Sequence, residues 1–248
     1  MVPPKSAVVA RVCPAAAVER PRQHAASARV SSRDMGTTSG LKGGCVESVT
    51  WQNMPSATPK IRSACVLGAG TMGAQIAAHL DNAGYPVALL DVSAQAAREG
   101  LARARKLKPD PFFTPDAAGR IRTGGFDSDL EWVASADWII EAVIEQSDAK
   151  RSLLERVDRL RRAGSIVSSN TSGLSIAGLA EGRSDDFRRH WLGTHFFNPP
   201  RYLPLLELIP TAETDPAVVA AVRDFADRRL GKHVVLAKDT PGFIANHV

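Results

Sequence analysis

Cysteine is scarce in this 248-residue chain: Cys13, Cys45 and Cys65 are odd in number and form no CxxC pair. Neither a disulfide framework nor a zinc site is suggested, no other metal site is expected, and a reducing compartment fits. No apolar run reaches the ~18 residues that a membrane-spanning helix requires. A basic excess is also missing where a fold is expected. The chain holds 31 Lys and Arg against 26 Asp and Glu, a formal net charge of +5. Eight of those bases and three of those acids lie within residues 1–60, which leaves 23 of each sign in residues 61–248. The part able to fold therefore carries no electropositive footprint for nucleic acid.

Residues 1–59 have no hydrophobic period, are rich in Ala, Ser, Arg, Pro and Gly, and reach their second acid only at Asp34. Such a segment cannot bury a core and is expected to be disordered. Its Arg-rich, acid-poor composition is similar to an organelle transit peptide, and it has no apolar stretch suited to secretion. Readthrough from an upstream start is an equal alternative, with Met54 as a natural start. The expected compartment is the cytoplasm, or the mitochondrion if residues 1–59 are a transit peptide.

What the chain does have is concentrated in IRSACVLGAGTMGAQIAAHLDNAGYPVALLDV. Residues 61–67 read as a buried strand, 68–73 as a tight glycine turn, 71–83 as an amphipathic helix and 87–90 as a second strand ending at Asp91. Gly68 permits the turn, Gly70 lets backbone N–H groups approach a pyrophosphate, and Gly73 lets helix and strand pack closely. Thr71 and Met72 complete the phosphate-facing turn, where the helix N-terminus supplies partial positive charge. Asp91 is placed to accept hydrogen bonds from an adenosine ribose and to repel a 2′-phosphate, so NAD is favoured over NADP. A lone GxGxxG means little; here strand, turn, helix, strand and acid arrive in order.

Beyond Asp91, residues 93–107 look helical and the prolines at 109, 111 and 115 open a loop through Gly125. The basic run 103–108 reads as a solvated helix face, or as a contact for a phosphate of a large ligand. A short helix near 128–135, a strand over 137–143, a helix over 148–162 and a strand over 165–168 follow. Loop 170–173 leads into a short helix near Leu174. This alternation implies an α/β, Rossmann-type doubly wound, mostly parallel sheet. Ligands should then gather at the carboxyl ends of its strands, where Asp91, Glu145, Lys150, Asn170 and Ser172 fall. HWLGTHFF and LLELI read as strands joined by a proline-bearing reversal, followed by a helix over 216–230 capped by Gly231 and a strand over 233–237. KDTPGFIANHV then opens a further element. The expected organisation is a leader over 1–59, an NAD-binding domain over 60–238, and the start of a truncated helical domain over 239–248.

Of six histidines, His24, His79, His190, His233 and His247 each have a structural or solvated reading. His195 differs because it closes a strand, and Glu207 lies on the next strand, where a carboxylate could fix its tautomer and support it as a general base. Spacing alone makes a plain polar contact the commoner meaning of such a pair.

GAGTMG, EAVIE, SSNTSGLSI, GTHFFNPP, LLELIP and KDTPGFIAN, in this order over residues 61–246, closely resemble the NAD-dependent 3-hydroxyacyl-CoA dehydrogenases of fatty acid β-oxidation. The resemblance implies oxidation of (3S)-3-hydroxyacyl-CoA to 3-oxoacyl-CoA with NAD. It implies that His195 takes the substrate hydroxyl proton, that Glu207 orients it, and that Ser172 and Asn246 hydrogen-bond the substrate. Asp91, Glu145, Lys150 and Asn198 would contact or frame the NAD, with Ser172 adjoining it. The implied partner is an acyl-CoA, and the full-length protein would form a homodimer.

Two departures qualify this. His247 stands where the family usually has Arg, and the family's all-helical second domain is missing. Two alternatives stay open: a truncated, non-catalytic NAD-binding fragment, and a dehydrogenase of 3-hydroxybutyryl-CoA or another 3-hydroxy acid.

Overall fold

The protein is described by a computed structural model over residues 59–246. Expectations for the leader, Met54 and His247 lie outside the described residues. Eight strands form one sheet in the order β3-β2-β1-β4-β5-β6-β7-β8. They are β1 (Ala64–Leu67), β2 (Val87–Asp91), β3 (Arg122–Gly125), β4 (Trp138–Glu141), β5 (Ile166–Ser169), β6 (Trp191–Phe196), β7 (Leu205–Pro210) and β8 (His233–Leu236). Among the described residues six α-helices accompany them, α1 (Thr71–Asn82), α2 (Ala94–Ala104), α3 (Ser147–Leu160), α4 (Ile176–Ala180), α5 (Asp185–Arg189) and α6 (Pro216–Leu230), and the short helix expected near 128–135 is a 3-10 turn over Leu130–Ser135. β1 to β6 are parallel; β7 runs antiparallel to β6 and parallel to β8.

Side chains alternate across each buried strand and so divide the core. Val66, Leu89 and Ile140 pack with α1, α2 and α6 through Ile76, Leu101, Val222 and Phe225. Cys65, Leu67 and Ile139 pack on the other face with α3, α4 and α5 through Leu154, Leu179 and Phe187. Helices on both faces are what a parallel sheet requires, because its strands are apolar on both sides. Burial pushes the Cys65 thiol up to about 12, in keeping with a small core residue.

Local signals set the helix ends. Ser93 Oγ accepts the Ala96 N–H at the start of α2. Asp215 accepts the Ala217 N–H ahead of Pro216 in α6, which ends at left-handed Gly231 (φ 63°). Two elements depart from the sequence expectation. The stretch expected to be loop through Gly125 contains β3, whose RTGG has little strand propensity and pairs because β2 offers it an edge. α5, five residues long, is too short for a periodic signal.

The chain leaves β1, adds β2 and β3 on one side, then crosses to add β4 on the other. This reversal opens a crevice at the carboxyl ends of β1 and β4. Gly68 (φ 101°) makes the turn above it, where a Cβ would lie 2.6 Å from the Ala142 carbonyl oxygen. A Cβ at Gly73 would sit 1.9 Å from the Gly68 oxygen. A third close approach was not legible in the sequence: a Cβ at Gly100, on α2, would stand 2.1 Å from the Ala69 oxygen.

His79 is buried on α1, its Nε2 3.1 Å from the Leu230 carbonyl and its Nδ1 without a hydrogen-bond partner. Burial, reinforced by the Lys232 charge, pushes its pKa down to about 4.

Two outcomes follow. The unfolded chain takes up a proton on His79 near 6.5, whereas the folded protein resists it until about 4. Stability measured by urea unfolding should therefore fall as pH drops through that window, by on the order of 3 kcal/mol, and His79→Gln should flatten the slope. Gly100→Ala favours the helix by about 1 kcal/mol but drives a methyl into the Ala69 backbone. It should lower the thermal midpoint and weaken NADH binding measured by fluorescence.

Candidate active site

The crevice has two adjoining parts that share Gly70, Ala142, Val143 and Ile144. The first, about 380 Å³, is lined by Gly68, Asp91, Val92, Phe126, Leu153 and Arg156. The second, about 460 Å³, gathers Thr71, Met72, Glu145, Asn170, Ser172, His195, Asn198 and Asn246. Loops after β1, β4, β5 and β6 therefore converge with the turn at 241–246, from positions far apart in the chain. Of the sequence-expected site residues, Gly73, Lys150 and Glu207 line neither part. Gly73 is a packing contact, and Lys150 and Glu207 stand behind the lining.

In the first part, Asp91 ends β2 with both carboxylate oxygens tied down. Oδ2 accepts the Ala69 N–H at 2.6 Å and Oδ1 the Val92 N–H at 2.7 Å. The carboxylate is thus held beside a mostly apolar slot, where a ribose with free hydroxyls fits and a phosphate would meet like charge. At Gly70 no atom outside the residue and its two chain neighbours lies within 4 Å of the place a Cβ would occupy. α1 has no side-chain cap at Gly70 and no acid in its first turn, which leaves its N-terminal end to an anion. The residues present fit a dinucleotide.

A buried ionic clasp holds the loop between the two parts. Lys150 Nζ donates to Glu141 Oε1 at 2.7 Å and to the Val143 carbonyl at 3.3 Å, and pairs with Glu145 Oε2 at 3.3 Å. Glu141 Oε1 also accepts the Val143 N–H at 2.7 Å, and Oε2 accepts the Ser169 hydroxyl at 2.5 Å. Glu145 Oε1 then takes the Thr171 hydroxyl and the Ser172 N–H, the latter at 2.9 Å, which ties the EAVIE loop to the NTS loop. Partial burial works to raise the Glu145 carboxyl. The Thr171 and Ser172 hydrogen bonds and the Lys150 charge outweigh it and hold the pKa below the usual carboxylate value.

At the far end of the second part, His195 and Glu207 stand directly opposite on antiparallel β6 and β7. His195 Nδ1 is 2.8 Å from Glu207 Oε2. Glu207 Oε1 accepts the N–H groups of Ile244 and Ala245 at 3.1 and 2.9 Å, so the same carboxylate anchors the PGFIAN turn. With Nδ1–H donating to Glu207, Nε2 is the acceptor nitrogen. Phe197 and Phe243 flank the ring at 4.5 and 5.7 Å between centroids.

Three supporting residues escaped the sequence reading. Glu141 was visible only as a letter in EAVIE, although an acid closing an apolar strand is a usable signal. Gln75 on α1 donates to Asn198 Oδ1, a link 123 residues apart for which no local signal exists. Lys232 is buried, donates to the carbonyls of Pro200 and Leu203, and so pins the connection between β6 and β7. Burial pushes its pKa down to about 8.

Glycine turn, strand-closing acid and a crevice at the sheet's switch point define a Rossmann-type dinucleotide-binding domain. Residues 63–240 match the family model described as 3-hydroxyacyl-CoA dehydrogenase, NAD binding domain, and the chain belongs to that family. Its cofactor is NAD. A probable 3-hydroxyacyl-CoA dehydrogenase of Deinococcus radiodurans is 48% identical, covering 76% of this chain and 57% of its own length. The mitochondrial hydroxyacyl-coenzyme A dehydrogenase of Homo sapiens is 32% identical, covering 82% and 68%. The crystal structure of (S)-3-hydroxybutyryl-CoA dehydrogenase from Ralstonia eutropha superposes with a TM-score of 0.65 at 32% identity, covering 76% of this chain and 68% of that one. The chain thus spans little more than half the length of the Deinococcus relative. Among the described residues no helix is long and apolar enough to cross a membrane, and no group of three or more His, Cys, Asp or Glu could hold a metal ion.

Lys150→Met would leave the Glu141 carboxylate buried without its cation. The expected loss is about 3–5 kcal/mol in urea unfolding, with the Glu145 carboxyl, titrated by NMR, moving upward.

Proposed function

We propose that this chain carries the NAD-binding half and the general base of a (3S)-3-hydroxyacyl-CoA dehydrogenase acting in fatty acid β-oxidation. The observation that carries the reading is the His195–Glu207 pair, with its acceptor nitrogen on the ring that borders the cleft. Bound NAD supplies the two-electron acceptor for the hydrogen leaving carbon 3 of the substrate. His195 Nε2 receives the proton of the 3-hydroxyl, and the carbon–oxygen bond becomes a carbonyl. Glu207, acceptor-only and immobilised by two backbone N–H groups, keeps the proton on Nδ1 in the resting imidazole and stabilises the imidazolium that forms. Ser172 and Asn246, on the rim of the same cleft, hydrogen-bond the substrate near carbon 3. Gly68, Gly70, Thr71 and Met72 form the pyrophosphate cradle, and Gly73 lets the helix behind it pack closely on the turn. Asp91 takes the ribose, Glu145 and Asn198 border the nicotinamide, and Lys150 frames it from behind.

The partner is an acyl-CoA, and residues 239–248 lead into a helical domain that completes the acyl pocket and the homodimer of the full-length protein. The exposed apolar side chains of Val235, Leu236 and Ile244 on that edge support a covering element. The balanced charge of residues 61–248 supports a role without nucleic acid. The compartment is the cytoplasm; the mitochondrial name of the human relative and the composition of residues 1–59 support the mitochondrion as the alternative, should those residues be a transit peptide. The Ralstonia structure favours a second reading in which the substrate is the short 3-hydroxybutyryl-CoA.

NADH oxidation by acetoacetyl-CoA and by longer 3-oxoacyl-CoAs tests both readings. Turnover with a preference for short or long chains selects between them, whereas NADH binding without turnover would leave a cofactor-binding fragment. His195→Gln should lower kcat by at least about 100-fold with NADH affinity unchanged. A parallel loss of both would remove its role as base.

A further inference from the structure

The amide of Asn198 can present either an oxygen or an NH2 group to the cleft, and the two recognise opposite ligand atoms. Gln75 decides which. It is 3% exposed, inside α1, and its Nε2 donates at 2.9 Å to the Thr71 backbone carbonyl, which can only accept. The orientation of Gln75 is therefore set by the helix itself. The second Nε2 hydrogen goes to Asn198 Oδ1 at 3.0 Å. With its oxygen engaged from behind, Asn198, which lines the second part of the cleft, is left with the NH2 group for a ligand.

We propose that Gln75 is a positioning residue that makes Asn198 a hydrogen-bond donor toward an acceptor oxygen of the bound molecule. This rests on the reading of Asn198 as a ligand contact. Such an oxygen has two sources, the carboxamide carbonyl of the nicotinamide and the 3-oxo or thioester carbonyl of the acyl-CoA. The neighbouring polar groups act on other atoms: Asn170 Oδ1 accepts the Phe196 N–H at 2.8 Å, and Glu145 Oε1 is taken by the NTS loop. Neither can substitute for the missing constraint if Gln75 is replaced. A side chain of equal length without donors, as in Gln75→Met, frees the Asn198 amide to rotate, while Gln75→Glu offers an acceptor and favours the reversed amide.

The test is a double-mutant cycle of Gln75→Met with Asn198→Ala in the full chain. It is read by calorimetric titration with NADH, and with acetoacetyl-CoA in the presence of NADH. Gln75→Met should weaken one ligand by about 10-fold and have no further effect once Asn198 is Ala. Coupling seen with NADH assigns the acceptor to the cofactor; coupling seen only with acetoacetyl-CoA assigns it to the substrate. Coupling with NADH but no acetoacetyl-CoA binding would retain the role of Gln75 while removing the acyl-CoA function. An equal loss in both backgrounds, or none in either, would overturn the proposal. Should Gln75→Met fail to fold, Gln75→Glu enters the same cycle with the same expected coupling.

Discussion

The Lys150 ammonium, buried between Glu141 and Glu145, is the constraint on which the site's geometry rests. Taking a lysine and a carboxylate out of water costs several kcal/mol per ion. It is tolerated only when every donor and acceptor is met. Three acceptors surround Nζ, namely Glu141, the Val143 carbonyl and Glu145, and Glu141 accepts from Lys150, Val143 and Ser169. An apolar replacement of matching volume could serve stability as well. What the ionic clasp adds is a fixed loop, because Val143 and Ile144 border both parts of the crevice and Glu145 reaches across to Thr171 and Ser172. One buried cation thus holds the loop that borders both parts of the crevice and, through Glu145, ties it to the NTS loop.

A similar economy governs the other end. Antiparallel pairing of β6 and β7 puts His195 and Glu207 opposite each other, close enough for a direct bond without any contribution from a loop. Glu207 spends its second oxygen on the backbone of Ile244 and Ala245. The carboxylate bonded to the imidazole is therefore also the anchor of the segment carrying Asn246. The two clasps differ in kind: Lys150 joins loops, whereas Glu207 joins a strand to a turn.

Much of the architecture was legible because it repeats. Alternation of strand and helix signals through residues 61–237 follows from burial on both faces of a parallel sheet, and the strands that the sequence predicts end within three residues of their expected bounds. β3 was invisible because RTGG draws its stability from the neighbouring β2 edge rather than from its own composition. The glycine turn was legible down to individual positions, since Gly68 and Gly73 are demanded by close approach of backbone to backbone. Gly100 meets the same demand from a different element, and nothing in the letters around it announces that α2 will press on Ala69. Asp91 closes a strand and the EAVIE and NTS loops follow strand ends, as the sequence pattern predicts, whereas the bonds between the two loops join separate elements.

By itself the sequence determined the periodicity, the turn chemistry and the motif blocks, and through them the fold class, the glycine turn and membership in the 3-hydroxyacyl-CoA dehydrogenase family. These are properties of residues within a few positions of one another, where propensity and spacing act directly. Only the tertiary structure decided that Lys150 faces inward against two acids, that Glu207 has a second ligand in the PGFIAN turn, and that Gln75 reaches Asn198. Each of those contacts joins residues from separate elements. Its existence depends on how sheet order and helix packing bring them within about 3 Å, a distance at which a hydrogen bond forms and over which spacing along the chain carries no information.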